Sequence, residues 1–342
     1  MKYLNYGEHK KMSSVTFTDV KTAEKRISPF INKTPVLESQ LLNSWLGHKL
    51  FFKAECFQKT GAFKLRGALN MMLRAKEEGR LGSHVVASSS GNHAQAVAYA
   101  AKILGVKATI YSSKNVSQVK AAATQYYGAT LDLSATRKEA DKKVAEAATK
   151  AGVLWMPPFN HNDIIAGQGT AALEALGQTG EVDAVFAPVG GGGLVSGTLI
   201  STQSLFPQAS VMGVEPLMAN DAAESLRAGV IQSLPVQPNT LADGAATLQV
   251  GEKTFPHLQA LDGFYEVDET SIAYWTQWLQ HLLKIHVEPT CAMSMGGVVE
   301  WLKLQSGEQK VLVMLSGGNI DQQKMLKIWQ DDHLQQLPSL LI

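Results

Sequence analysis

Short apolar runs alternate along the chain with longer stretches of helical periodicity, a rhythm that predicts βαβ units and parallel sheets. His84-Val85-Val86-Ala87-Ser88 reads as a strand entering a polar loop, and Asn92 to Leu104, rich in Ala, as the helix that follows, closed by Gly105. Ala108 to Tyr111 predicts the next strand and Gln118 to Tyr127 a helix ended by Gly128. Ala129 to Leu133 predicts a third strand, and about Thr136 to Lys150 a charged helix. This block has the pattern of a compact α/β unit of its own. Pro157 and Pro158 then break the rhythm and mark a domain crossing. Beyond them the pattern predicts a helix near Ile164 to Leu176, a strand from Ala184 to Val189, and a strand ending at Val214-Glu215-Pro216. A last strand, Lys310 to Leu315, runs into Ser316-Gly317-Gly318-Asn319. Three of these strands end in Gly- or Ser-rich loops. Ligands of open α/β sheets sit beyond the carboxyl ends of strands, so three such loops point to one shared site.

Composition narrows the partners. Lys and Arg number 31 against 30 Asp and Glu, a balance that recruits neither nucleic acid nor an anionic membrane and suits a small-molecule substrate. The 342 residues suffice for one large or two modest domains with a sizeable core. Cys56 and Cys291 lack a second Cys or His at metal-ligand spacing and read as free thiols in a reducing compartment. Met1 to Ser14 is charged, has no apolar stretch of signal-peptide type, and reads as an N-terminal extension. No apolar run of about 18 residues exists, so a cytoplasmic protein that spans no membrane is expected.

Three segments carry candidate chemistry. Gly190-Gly191-Gly192-Gly193 follows an apolar strand and precedes a helix from Leu194 to Leu205, where successive backbone N–H groups and the helix dipole would cradle a phosphate. The run has neither the Lys-Ser/Thr of a nucleotide loop nor the G-x-G-x-x-G of a dinucleotide turn. Lys64 lies between Phe63 and Leu65, and a lysine in an apolar niche loses its proton readily, as a Schiff base requires. Lys53 and Lys59 nearby read as ordinary solvated charges. Ser88-Ser89-Ser90-Gly91-Asn92-His93, at a strand-to-helix turn, offers hydroxyls and amides to a carboxylate, or only an N-cap cluster. His93 reads as a structural hydrogen-bonding residue ahead of a catalytic base.

Phe63-Lys64-Leu65-Arg66-Gly67-Ala68, Ser89-Ser90-Gly91-Asn92-His93, the tetraglycine and Leu315-Ser316-Gly317-Gly318-Asn319 occur in one order. In that order they resemble the fold-type II pyridoxal-phosphate enzymes, in the branch of serine/threonine dehydratases and serine racemases, over about residues 15 to 328. The resemblance implies an α/β protein of two open α/β domains, like the tryptophan synthase β chain, with the cofactor in the interdomain cleft. The large cofactor domain would take residues 15–79 and 159–328, and a small substrate-capping domain residues 80–158. It also implies a homodimer.

By similarity, Lys64 would carry pyridoxal 5'-phosphate as a Schiff base and then take the substrate Cα proton. Phe63 would pack beside the ring, Asn92 would meet the ring 3-hydroxyl, and Gly190 to Gly193 with Leu194 would hold the phosphate. Ser316 would face the pyridine nitrogen. A neutral hydroxyl stabilises a carbanion less than a carboxylate there would, which favours prompt loss of a β-hydroxyl. The expected products are a 2-oxo acid and ammonia. Ser89, Ser90, Gly91, Asn92, His93 and Arg137 would contact the substrate. Threonine dehydratases usually read Ser-Ala-Gly-Asn-His, whereas serine racemases and hydroxyaspartate dehydratases carry the Ser-Ser-Gly-Asn-His seen here. Ser90 therefore reads either as a carboxylate ligand or as a second acid/base that racemises Cα. Glu215, Ala219 and Asp221 resemble a divalent-metal site of oxygen ligands, suited to Mg²⁺ or Ca²⁺. Alternatively, Glu215 ends a strand and Asp221 caps a helix. The stretch between Tyr127 and Arg137 is shorter than in animal serine racemases, and no feedback domain of the threonine-dehydratase kind is expected after about Ile328. β-Replacement of the cysteine-synthase type, which usually reads Thr-Ser-Gly-Asn-Thr, ranks lower, as does a non-catalytic amino-acid-binding protein.

Overall fold

The computed structural model describes residues 2–4, 15–114 and 116–340. Two sheets organise them. The larger has seven strands: β1 (Lys2–Leu4), β2 (Val36–Leu37), β3 (Lys49–Ala54), β8 (Ala184–Pro188), β9 (Ser210–Pro216), β10 (Gly263–Val267) and β11 (Lys310–Leu315). Their order is β1-β10-β9-β8-β11-β3-β2, parallel inside and closed by the antiparallel edges β1 and β2. The smaller sheet is all parallel, in the order β6-β5-β4-β7, from β4 (His84–Ser88), β5 (Lys107–Ser113), β6 (Thr130–Ser134) and β7 (Val153–Trp155). Two parallel α/β sheets were expected. Of the expected N-terminal extension only residues 2–4 are described, as the edge strand β1; the remainder lies outside the described residues.

The large sheet is buried on both faces, which is why its strands read as continuous apolar runs. In β11, Val311, Val313 and Leu315 join one core while Leu312 and Met314 join the other. A third core, under the small sheet, reaches back to Leu65, Leu69 and Met72 on the Lys64–Glu77 helix. That helix is therefore held by both units. The C-terminal segment continues beyond residue 328 as part of the large unit. Its Leu334 and Leu340 pack against that core, and the Gln336 carbonyl accepts from Tyr274 and Trp278.

Three of the four small-sheet strands lie close to expectation, whereas β7 had no counterpart in the pattern. The helices Asn92–Leu104 and Gln118–Tyr126 occupy the segments read for them, and Gly105 ends the first in the left-handed conformation, φ 69°. β5 is longer than the four residues expected, because Lys107 and Ser112–Ser113 also pair with neighbours. The later helix starts at Asn162 rather than near Ile164, with the His161 ring accepting from the Asp163 amide.

One reading is corrected. Lys53 is not a solvated charge; it is fully buried on β3, its ammonium 2.5 Å from Glu174 and 2.7 Å from the Thr34 carbonyl. Charged groups enter a core only when partnered, and the partner lies 121 residues downstream, out of reach of any local pattern. Lys59 is exposed, as read.

Candidate active site

The cleft between the units is lined from both sides. Lys64 opens the Lys64–Glu77 helix, its side chain partly exposed to the cleft and its amine 2.8 Å from the Pro158 carbonyl. The nitrogen also stands 5.2 Å from the centre of the Phe63 ring. Desolvation lowers the amine to about 8, against the opposing pull of Glu288. A lysine at that value supplies free base near neutrality.

Ser316 follows β11 directly and lines the same cavity as that amine. Its hydroxyl is buried and, among the described residues, has no hydrogen-bond partner. A buried unsatisfied hydroxyl costs stability unless something occupies the cavity it faces. This orphan atom fits a ring nitrogen or another small polar group.

The tetraglycine turns from β8 into the Gly193–Leu205 helix, whose first N–H groups have no intrahelical partner. Gly192 sits at φ 90°, which favours glycine. A Cβ on Gly191 would come within 2.2 Å of the Phe159 ring. Only Gly191 of the four lines the cavity; Gly190, Gly192 and Gly193 shape the turn, and Leu194 packs in the core below. Gly191→Ala is therefore expected to push Phe159 aside and weaken cofactor retention about tenfold or more, ~1.4 kcal/mol. Visible absorbance after exhaustive dialysis checks it.

The small sheet contributes the loop after β4. The Ser88 hydroxyl donates to Asp141 at 2.5 Å, and the Ser89 hydroxyl accepts from the Gly91 amide at 3.2 Å. Ser90 is exposed at the cavity wall with Gly91 and Asn92 beside it. Asn92 opens the helix, so its neighbours present the positive end of the helix dipole to the cleft. His93 is buried with its ring 2.8 Å from the Met156 carbonyl. Burial, with the charge of Lys64, drives it down to about 3, so it is a neutral structural group at any ordinary pH. Arg137 is exposed at the mouth, where Asp141 holds its guanidinium at 2.9 Å.

The three metal candidates stand apart from this cleft lining. The Glu215 carboxylate, on β9, accepts from the amides of Ala222 and Ala223 at 3.2 and 2.7 Å. It thus caps the Asp221–Ala228 helix that Asp221 was read as capping. Asp221 meets the Thr247 hydroxyl at 3.3 Å, and Ala219 is buried between the two acids in sequence. Burial raises both carboxyls, Asp221 to about 7 and Glu215 well above the ordinary carboxylate range, with Asp221 adding to the latter. Among the described residues no group of three or more His, Cys, Asp or Glu is placed to hold a metal. Two buried acids that resist ionisation together do fit a divalent cation on oxygen ligands.

Several cavity residues went unread: Lys120, Asp243, Thr247, Glu288 and Thr290. None of them stands in a motif; Glu288, for one, lies between Val287 and Pro289 with His286 and Thr290 close by.

Residues 27–317 match the family model described as pyridoxal-phosphate dependent enzyme. The chain belongs to this family. It is 41% identical over 311 residues to the L-threo-3-hydroxyaspartate ammonia-lyase of Saccharomyces cerevisiae, covering 90% of this chain and 94% of that one. It is 40% identical over 321 residues to the serine racemase of Dictyostelium discoideum, covering 93% and 98% respectively. Among solved structures, a T.th. threonine deaminase superposes with a TM-score of 0.83 at 41% identity, over 90% of this chain and 99% of the other. Membership accounts for the fold and for the cofactor, pyridoxal phosphate. The orphan Ser316 hydroxyl, the lysine held near 8 and the glycine turn are the features of this chain that fit it.

Proposed function

We propose that the chain is a pyridoxal-phosphate-dependent ammonia-lyase that dehydrates L-serine, L-threonine or a related 3-hydroxy amino acid to a 2-oxo acid and ammonia. The observation that carries the reading is the meeting in one cleft of the Lys64 amine and the unpartnered Ser316 hydroxyl. Lys64, Phe63, Asn92, Ser316 and the Gly190–Leu194 turn would hold the cofactor, which when bound supplies an electron-withdrawing ring that acidifies the amino-acid Cα–H bond. The Lys64 amine takes the Cα proton. The Ser89-Ser90-Gly91-Asn92 loop receives the α-carboxylate at the helix N-terminus. Ser316, a neutral partner, leaves the ring less able to sustain charge, which favours expulsion of the β-hydroxyl.

A second activity, racemisation, rests on Ser90. It comes from the small-sheet wall and Lys64 from the opposite unit, so a proton can be exchanged at Cα from two sides. Serine racemase as the main activity is supported by the same residue and by the Dictyostelium relative. Hydroxyaspartate as substrate is supported by the yeast relative and by Arg137 at the cavity mouth, a cation suited to a second carboxylate. Residues 80–158 would form the unit that closes on substrate, since β4 to β7 all fall between His84 and Trp155. Glu215, Asp221 and the Ala219 carbonyl would take Mg²⁺ or Ca²⁺. A homodimer and a cytoplasmic setting belong to the reading through the family resemblance and the two free cysteines. Among the described residues no helix is long and apolar enough to cross a membrane.

The test is to supply L-serine, L-threonine and L-threo-3-hydroxyaspartate separately, with Mg²⁺, and to measure 2-oxo acid and D-enantiomer together. Turnover of none of the three by cofactor-loaded protein would overturn the assignment and reopen β-replacement. Ser90→Ala is expected to keep 2-oxo acid formation within about threefold while D-serine falls by about 10²-fold or more, the scale of a lost acid/base group. Equal losses of both products would make Ser90 only a carboxylate ligand.

A further inference from the structure

Glu288 lies on the large-unit wall of the cleft, immediately before the short Pro289–Ala292 helix, and is buried. Its amide donates to the Gly317 carbonyl at 3.0 Å, which ties it to the strand end that carries Ser316. Its carboxylate crosses the cleft to the small unit. Both oxygens stand 3.0 Å from the Asn92 side-chain nitrogen. The Asn92 side-chain oxygen in turn accepts from the Asn319 amide at 2.9 Å, and that same Asn319 nitrogen donates to the Thr60 carbonyl at 2.8 Å.

This chain of contacts determines which way the Asn92 amide faces. A carboxylate only accepts, and the Asn319 nitrogen only donates, so the reversed amide would set oxygen against oxygen and N–H against N–H. One N–H shared by the two Glu288 oxygens accounts for both 3.0 Å distances and leaves the other N–H for the cavity that Asn92 lines. Resting on the reading that this cleft binds pyridoxal phosphate, we infer that Glu288 is a positioning residue. It locks the Asn92 amide so that a donor, not an acceptor, faces the ring oxygen of the cofactor.

Two lysines near Glu288, Lys120 and Lys324, favour its ionised form against the burial that opposes it. Lys120, on the Gln118–Tyr126 helix, pairs with Asp243 at 2.8 Å, and Lys324, on the Gln322–Ile328 helix, pairs with Asp243 at 2.9 Å. Lys64, Lys120, Asp243, Lys324, Cys56 and Cys291 are the ionisable groups that act on it or that it acts on. Burial raises the Glu288 carboxyl to about 7, with Lys120 pulling the other way. The carboxylate also favours positive charge at the Lys64 nitrogen.

The experiment loads wild-type, Glu288→Gln, Glu288→Asp, Asn92→Ala and the Glu288→Gln/Asn92→Ala double variant with pyridoxal phosphate in the absence of substrate. Cofactor dissociation constant, pH midpoint of the visible absorbance band and melting temperature are read for each. Glu288→Gln is expected to weaken cofactor binding about tenfold, ~1.4 kcal/mol, and to add nothing further in the Asn92→Ala background. Removing an anion beside the Lys64 nitrogen should also move the absorbance midpoint to lower pH by about half a unit or more. Glu288→Asp, which keeps the charge, should retain more cofactor than Glu288→Gln. Additive losses in the double variant would overturn the inference. So would equal losses in Glu288→Asp and Glu288→Gln that simply follow their melting temperatures. A wild-type chain that takes up no cofactor sinks the functional reading and this inference with it. Wild-type uptake matched by Glu288→Gln within twofold, with the midpoint unmoved, sinks this inference alone.

Discussion

Replacing Lys64 with alanine is expected to leave a folded, colourless protein whose turnover falls by about 10⁴-fold or more. The size follows from one side chain having two tasks. In the proposed function it would attach the cofactor covalently and would also move the Cα proton. No neighbouring group can stand in for either. His93, lowered to about 3 and with its ring N–H committed to the Met156 carbonyl, is too weak a base, and Glu288 is occupied by Asn92. The fold should tolerate the change, because Lys64 faces the cleft and contributes one hydrogen bond, to the Pro158 carbonyl. Visible absorbance and single-turnover 2-oxo acid formation check the two tasks separately. A yellow Lys64→Ala protein with turnover intact would place the reacting lysine elsewhere.

Arg66→Met should lower stability by about 3–5 kcal/mol, the usual effect of leaving a buried charge unpaired. Arg66 is fully buried two residues beyond Lys64, with its guanidinium 2.7 and 2.8 Å from the two Glu55 oxygens and 3.1 Å from Glu174. Burial disfavours its charge, but Glu55 and Glu174 outweigh that and keep it protonated. Burial likewise pushes Glu174 up, while Arg66 and Lys53 hold it below the ordinary carboxylate range. Removing the arginine strands the buried Glu55 and the half-buried Glu174 carboxylates with Lys53 alone. Denaturant unfolding measures the loss. Removing Glu55 along with Arg66, in Arg66→Met/Glu55→Met, should be less damaging than Arg66→Met alone, because fewer charges are left uncompensated. A single variant as stable as the wild type would show that the network contributes nothing.

The small sheet was legible almost throughout. Its strands are short and bounded by Gly or Ser turns, its helices are Ala-rich, and Gly105 and Gly128 mark two helix ends. The large sheet was legible only in part. β8, β9 and β11 announce themselves because glycines or a proline follow apolar runs, whereas β3 and β10 were passed over. Strands buried on both faces have no polar alternation to mark them. In the site, Lys64, the tetraglycine and Ser316 were singled out because their segments occur in the order that resembles the family; of the three, only the glycine run points to an anion by its own local chemistry. Glu288, Lys120 and Asp243 were not. Their roles depend on partners 196 and 123 residues away, as the Glu288–Asn92 and Lys120–Asp243 contacts show.

By itself, then, the order of residues determined the α/β class and the parallel sheets and, through motifs that resemble a family, the family and its cofactor. Those features are written in local periodicity and in short motifs whose chemistry is complete within a few positions. Only the tertiary structure decided that Lys53 is buried, that Glu215 rather than Asp221 caps its helix, and that Glu288 reaches across the cleft to Asn92. A buried charge is stable only with a partner. When that partner is supplied by another element of the fold, no window along the sequence contains both halves of the interaction.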